Sequence, residues 1–561
     1  MPGGLLQLVG KGAQDELLTG NPSFTHFKTV YKRHTEFAME HVRLDMRTTS
    51  LDLPAQGFKS MRVKVDRNAQ LVHDCYIHVT LPDIFSPVAP ITQGIHPEVN
   101  STAQAIGYEF QWIPNLGYNM INSVSLLING TAIVTHTGEW MKIYSYTLHD
   151  SNKRDIVDQM VGHTTDFIDP ANAYDRMNQY PHAISTPSQV AGPSIPGRDL
   201  VIPLHFWFCE DVGSAIPLVA LQYSEVEIVI EFKNMYQLFT VLDVRDSNPK
   251  GTFGTRIAPD FASPEFSMDR FLSPPNVQGN PVNTSLKTWA LNPYIEATYI
   301  FLGDAEVVHL AKSDNAFKIK ELRNIRRDRV HGPGNDLELT MVNLCTRILW
   351  SGQRSDAIEN NQWDNYTNWL DNKKSPLRTA VTTPFAVTPW YSAPVAVGQN
   401  VTDNHILVDA TLMLDGSERE QTKPRDFYSL LQNYKHHTGK TVTSLPGLYT
   451  YSFALDHHTP QPSGHLNGSQ FNKTILRLTT QEPPFAENLT STQRCVFKST
   501  ALNNRPVGVI NPALVSPEQV VTIITKPITE VREYTYSVQA YVESYNFLRI
   551  TRGIANVVFS S

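Results

Sequence analysis

Apolar residues either alternate with polar ones or run together in short stretches along this chain: Met61–Val65, Leu71–Leu81, Ser123–Val134, Leu200–Phe208, Leu218–Phe232, Ala297–Leu302, Leu337–Leu349, His405–Leu414, Leu448–Leu455, Lys473–Thr479 and Val531–Ile550. These are the patterns of half-buried and fully buried strands, and Pro-, Gly- and Asn-rich breaks separate them. Apolar residues return at three- and four-residue spacing only in short pieces, Glu139–Leu148 and Arg425–Tyr434, which predict short helices. The expected class is all-β.

Two stretches, Ser151–Arg198 and Ser351–Asn404, are too long and polar for hairpin turns and read as functional surfaces or interface arms. A third, Asn234–Leu286, carries FASPEF and LSPPNVQGNPVN and reads as a linker or insertion between halves. The halves echo each other. VSLLINGTAI at Val124–Ile133 is matched by ATLMLDGSER at Ala410–Arg419, each an apolar strand meeting Asn-Gly or Asp-Gly, where a positive φ is cheap, before a short amphipathic helix. ALQYSEVEIVIEF from Ala220 is paired in the same way with AYVESYNFLRI from Ala540, and together the echoes predict two similar β-domains in tandem.

Composition narrows the function. With 47 Lys+Arg against 54 Asp+Glu, the net charge of −7 across 561 residues argues against a bulk electrostatic grip on nucleic acid or an anionic membrane. Only 18% of residues are charged and 37 are Pro, which disfavours helical bundles and coiled coils. Cys75, Cys209, Cys345 and Cys495 lie far apart with no C-x-x-C pair, so reduced and mostly buried thiols are expected rather than a zinc site. The N-terminal run lacks the basic start and unbroken apolar core of a secretory signal, and Glu210, Asp211, Glu225 and Glu227 interrupt the most apolar stretch, Ile202 to Ile230. Folding in a reducing cytosol is the expectation.

No catalytic constellation emerges. Thr438-Gly439-Lys440-Thr441 ends like a phosphate loop, but Tyr434 stands where the first glycine belongs, so a plain turn is expected. There is no H-E-x-x-H, no G-x-S-x-G elbow and no Gly-rich dinucleotide fingerprint after a strand. His436-His437 and His457-His458 are adjacent pairs whose side chains point to opposite faces of a strand, a poor metal geometry unless one imidazole of each pair meets across strands. KIKELRNIRRDR, Lys318 to Arg329, is the densest positive run and reads as a solvated edge that discourages strand pairing, with an acidic partner or phosphate as the alternative. Eight N-x-[ST] triplets, at Asn100, Asn129, Asn283, Asn365, Asn400, Asn467, Asn472 and Asn488, are expected to arise from composition. Catalytic, cofactor-binding and metal residues are all expected to be none.

Four blocks spread from end to end carry a resemblance. GGLLQLVGKGAQDELLTGNPSFTHFKTVYKRHTEFAME (Gly3 to Glu40), IPLHFWFCEDVGSAIPLVALQYSEVEI (Ile202–Ile228), LDGSERE with RDFYSLLQNYKHHTG (Leu414–Gly439) and YVESYNFLRITRGIANVVFSS (Tyr541–Ser561) resemble the major capsid proteins of nucleocytoplasmic large DNA viruses. PSGHLNGSQFNKTIL, Pro462 to Leu476, departs from the family's P-x-G-x-x-N-F-S-R stretch, with Gly468 for the aromatic and Gln470 for the basic residue.

The resemblance implies two tandem eight-stranded antiparallel jelly rolls with long loop insertions and short helices. The expected division is an N-terminal arm over 1–27, a first roll over 28–233, a linker or insertion over 234–289 and a second roll over 290–561 with its long loop near 351–404. It implies a structural major capsid protein, not an enzyme, without cofactor: a homotrimeric pseudo-hexagonal capsomer tiling an icosahedral shell over an internal membrane. The implied partners are two further copies, neighbouring capsomers, minor capsid proteins and, through the arm, the membrane. Direct nucleic-acid binding is not expected, outward loops are candidates for host-cell contact, and assembly is expected in the host cytoplasm. The apolar arm residues Leu5, Leu6, Leu8 and Val9 are too sparse to fold alone and are expected to order by docking beneath their own roll or on a minor capsid protein.

Three other readings compete. A lectin would stack sugars on Trp363 and Trp369, which otherwise anchor a trimer clasp. A glycosidase would need two carboxylates about 5–10 Å apart in a cleft. A pentameric vertex protein would need only one roll.

Overall fold

The computed structural model describes residues 3–48, 50–54, 56–89, 106–177, 179–185, 188–189, 191–242, 256–259, 267–277, 280–312, 314–369, 403–439, 444–483, 495–499, 520–525 and 534–559. Four antiparallel sheets build two sandwiches. In the first, Phe37–Asp45, Tyr294–Leu302, Leu71–Thr80 and then Asp199–Pro203 with Ile216–Pro217 lie side by side, facing a sheet ordered Lys59–Lys64, Val226–Phe232, Ile121–Ile128, Thr131–Thr137. The second repeats this order: Asn315–Val330, Tyr536–Thr551, Leu344–Arg354 and then Leu448–Ser452 with Leu466–Asn467, facing Asn335–Leu339, Thr474–Thr480, Leu407–Leu414, Ser417–Pro424. The fold is a double jelly roll.

Burial follows the sequence pattern that makes the strands. Val226–Phe232 and its counterpart Thr474–Thr480 alternate buried and partly exposed side chains, so each buries one face against its own roll. Val63, Ile77, Leu126, Ile228 and Ile230 fill the first core, and Ile348, Trp350, Leu412, Leu476 and Val542 the second. The two echoed hairpins turn at equivalent places, with positive φ at Asn129 and Gly130 (53° and 76°) and at Asp415 and Gly416 (47° and 83°). Each runs into a helix, Gly138–Leu148 in the first roll and Phe427–Leu431 continued by Gln432–His436 in the second. The Thr137 hydroxyl caps the first of these by accepting the Trp140 backbone N–H at 3.1 Å. Thr137→Ala is expected to lower the unfolding free energy by about 1 kcal/mol, read as a lower urea midpoint at unchanged slope.

Several expectations are corrected. The strand Tyr294–Leu302 belongs to the first roll, not to a second unit starting at 290, because it pairs along its whole length with Phe37–Asp45 and also with Leu71–Thr80. The second echo is not structural: Val226–Phe232 lies beside Lys59–Lys64, whereas Tyr536–Thr551 occupies the position of Tyr294–Leu302. Ser151–Arg198 is not simply a loop, since it forms the helices Ser151–Met160 and Thr165–Ile168, which bury Arg154, Val157 and Phe167. Ser351–Asn404 begins inside the sheet and continues into the helix Ser355–Glu359; Asp364, Tyr366, Thr367 and Asn368 are buried, and 370–402 lies outside the described residues. Leu200–Phe208 stops as a strand at Pro203, and a helical turn, Trp207–Glu210, replaces its end.

Candidate functional site

The feature with the greatest density of buried chemistry is the seam where the rolls meet. The helix Gly138–Leu148 leaves the first roll and lays Trp140, Ile143 and Tyr144 on Leu349, Tyr366, Leu448 and Tyr541 of the second. Leu349 and Tyr541 are register partners, and their neighbours Ile348 and Val542 face the second core, so the helix sits on the outer face of that roll's sheet. Polar side chains lock the contact. Tyr366 and Tyr541 hydroxyls donate to the two oxygens of Glu139 at 2.9 and 2.8 Å. Lys142 Nζ lies 2.5 Å from Asp364 Oδ1, and Asn115 and Asn119 Nδ2 donate to the same carboxylate at 2.6 and 2.8 Å.

A second knot surrounds Arg347. Its Nη2 is 2.8 Å from Glu543 Oε2, both groups buried, while Lys320 Nζ reaches across to Glu210 Oε2 of the first roll at 2.6 Å. Tyr144 donates to Glu210 Oε1 at 2.6 Å. Burial pushes the Glu543 carboxyl up, but Arg347 and Lys320 outweigh it and hold it down at about 2. Burial likewise opposes ionisation of Asp364, and the Lys142 charge with its hydrogen-bond donors brings it below the usual carboxylate range. Burial lowers the histidines packed here: His136 to about 4, and His205 and His437 well below their ordinary value, with nearby cations adding to the effect on each.

This is an arrangement for holding two bodies together. The space enclosed by His136, Trp140, Tyr144, His205 and Lys320 amounts to about 10 Å³, room for no more than one water. Among the described residues no group of three or more His, Cys, Asp or Glu could hold a metal ion.

The residues singled out from sequence fall mostly into this architecture. His437 does meet the other pair, 5.6 Å from His457 and 6.1 Å from His458 between ring centroids. The Gly439 N–H donates to Thr147 O at 3.1 Å and the Thr438 hydroxyl to Leu148 O at 3.3 Å, so the phosphate-loop lookalike is a strap across the seam; Lys440 and Thr441 lie outside the described residues. Trp363 donates its indole N–H to Gln237 O at 3.0 Å and stacks on Lys233, the geometry of an anchor rather than a sugar platform. The basic run does lie on an edge strand but is solvated only in part: Ile319 is in the core and Lys320 in the seam, while Arg326, Arg327 and Arg329 are exposed. Cys75 and Cys345 are buried, Cys209 half-buried, all three free; the side chain of Cys495 is outside the description. Asn365 is buried, and Asn100, Asn400 and Asn488 lie outside the described residues. Sequence reasoning missed Lys142, Asp364 and Glu210, because partners 222 residues apart (Lys142 and Asp364) or 110 apart (Glu210 and Lys320) leave no local pattern.

Two family models match in succession. Residues 25–262 match the major capsid protein N-terminus, and residues 317–505 match the large eukaryotic DNA virus major capsid protein. The chain belongs to the major capsid proteins of large DNA viruses. The major capsid protein of Phaeocystis pouchetii virus is 24% identical over 619 residues, with all of both chains covered, and that of Paramecium bursaria Chlorella virus 1 is 22% identical, also over all of both. Among solved structures, the Faustovirus major capsid protein has a TM-score of 0.59 at 13% identity, covering 98% of this chain and 96% of that one. The quasi-atomic model of the PBCV-1 capsid has a TM-score of 0.58 at 18% identity, covering 96% and 100%. As a major capsid protein the chain is a structural component of the virion and not an enzyme, and the buried charges of the seam are part of its construction.

Proposed function

We propose that three copies close into a pseudo-hexagonal capsomer and that such capsomers tile an icosahedral shell over an internal membrane. The observation that carries this reading is the duplication: two rolls of one strand order in each chain give six near-equivalent rolls from three chains, the number a hexagonal outline needs. Trimer contacts would be large and apolar, and contacts between capsomers smaller and more polar, so that a growing lattice can correct errors. Electron cryo-microscopy of the particle tests this: the reading expects three copies per pseudo-hexagonal unit, and a five-fold or single-roll unit would contradict it.

The N-terminal arm is the proposed link to minor capsid proteins and the membrane. It does not pack beneath its own roll, one of the two placements the sequence suggested: Leu18 is 91% and Phe27 98% exposed. Exposed apolar side chains in this number call for a partner. Assembly in the host cytoplasm and host-cell contact through outward loops belong to the same reading. Limited trypsin digestion is expected to remove the arm at Lys28, Lys32 or Arg33 from the isolated protein and to leave it intact in particles. Equal cleavage in both would remove the arm from the assembly contacts.

A further inference from the structure

Within one chain the rolls are joined asymmetrically: the strand Thr131–Thr137 and the helix Gly138–Leu148 of the first roll approach the outer face of the second roll's sheet, near its edge strand Asn315–Val330. The Thr137 hydroxyl meets the Tyr541 hydroxyl at 3.4 Å, and Lys320 of the edge strand reaches Tyr144 of the helix at 3.2 Å. Each half of that contact has a counterpart in the chain, the helix face left uncovered and the sheet face left open along its edge strand. The second roll carries the same strand and helix, Ser417–Pro424 followed by Phe427–Leu431 and Gln432–His436. Tyr428 of this helix enters the second core as Met141 of the first helix enters the first core, so both helices are mounted in the same way. The faces turned away from the cores differ in one respect. Trp140, Ile143 and Tyr144 are covered by the second roll, whereas Leu430, Leu431 and Tyr434 are 48%, 40% and 87% exposed.

The receiving face is also duplicated. Phe37–Asp45 is the first roll's edge strand, in the sheet position of Asn315–Val330. Its register with Tyr294–Leu302 pairs Phe37 with Leu302, Met39 with Ile300 and His41 with Thr298, and since Val42, Leu44, Ile295 and Ala297 face the core, these residues are on the outer face, where Thr298 and Ile300 are already buried and the open part is the edge strand. Phe37 and Met39 are 55% and 47% exposed there.

We propose that neighbouring copies meet as the two rolls of one chain do: the helix face bearing Leu430, Leu431 and Tyr434 seats on the next copy's outer sheet face at Phe37 and Met39. The occupant is a second copy because one chain supplies both the plug and the socket, and an interface of the required shape already exists inside it. The contact is head-to-tail, so each copy added leaves one free plug and one free socket until the ring closes. This rests on the trimer reading and specifies which surfaces make the trimer.

The test uses full-length protein in two variants, a plug variant with Leu431→Asp and Tyr434→Asp and a socket variant with Phe37→Asp and Met39→Asp, followed by analytical ultracentrifugation. Each variant alone is expected to keep the wild-type circular dichroism spectrum and sediment as a monomer. An equimolar mixture is expected to form a dimer and stop, because the intact plug of one fits the intact socket of the other and no further pair remains. Variants that stay trimeric like the wild type, or a mixture that stays monomeric, would overturn the pairing. A monomeric wild type would instead overturn the trimer reading. If the variants do not fold, hydroxyl-radical footprinting of the wild-type trimer decides: Met39 and Tyr434 should oxidise several-fold more slowly than the exposed Tyr174 and Met177, and equal rates would exclude both from the interface.

Discussion

Replacing Glu543 with glutamine is expected to lower the unfolding free energy by about 3–5 kcal/mol, the usual cost of breaking a buried ion pair from one side. The substitution keeps shape and removes charge, leaving the Arg347 guanidinium in a site where neither partner has more than 2% of its side chain exposed. Lys320, held by Glu210 at 2.6 Å, would then face Arg347 with one carboxylate fewer between them. The double replacement Arg347→Met with Glu543→Leu is expected to recover most of the loss, because it removes the orphaned charge along with its partner. Urea unfolding at one fixed protein concentration checks both. A single-variant loss no greater than that of a surface pair, under about 1 kcal/mol, would mean that water reaches the knot.

Acid should loosen the seam through its histidines. His136, His149, His205, His437, His457 and His458 all have pKa values below 6.5 because burial disfavours the charged imidazole. The cations around them, Arg347, Lys320, Arg154 and Lys153, act in the same direction, and Glu543 and Asp150 oppose them. Since the folded values lie below the unfolded one, the unfolded chain binds more protons in this range, and stability falls as pH drops below about 6.5. Each fully buried imidazole costs on the order of 1 kcal/mol per pH unit until its own folded value is reached. Glu543 adds to the loss below its unfolded value of 4.5, since its folded value is about 2. Thermal unfolding followed by Trp fluorescence from pH 8 to pH 5 should show a steep drop beginning near pH 6.5, reduced in His136→Phe and His205→Phe. A flat profile over that range would show that these imidazoles are not held neutral by the fold.

What the chain reveals on reading is local. The hairpins at Asn129-Gly130 and Asp415-Gly416 and the helices that follow announce themselves through turn chemistry and spacing, and all are present. The edge strands Phe37–Asp45 and Asn315–Val330 are harder to see because charged residues occupy both faces: Glu40 and Arg43 in the first, Lys320 and Glu321 in the second. A boundary at 290 is the natural reading of a Pro- and Asn-rich stretch before an apolar strand. Only the long-range pairing of Tyr294–Leu302 with Phe37–Asp45 reveals that the first roll closes after that stretch. The seam was invisible for the same reason. Asp364 lies in a segment that reads as a polar loop, and Lys142 on a helix that reads as amphipathic; nothing near either names the other.

Native mass spectrometry of the full-length chain tests the central claim most directly. A single dominant species at three times the 63.1 kDa chain mass, stable on dilution, is the predicted result. A monomer at the same concentration, or a pentamer, would contradict it.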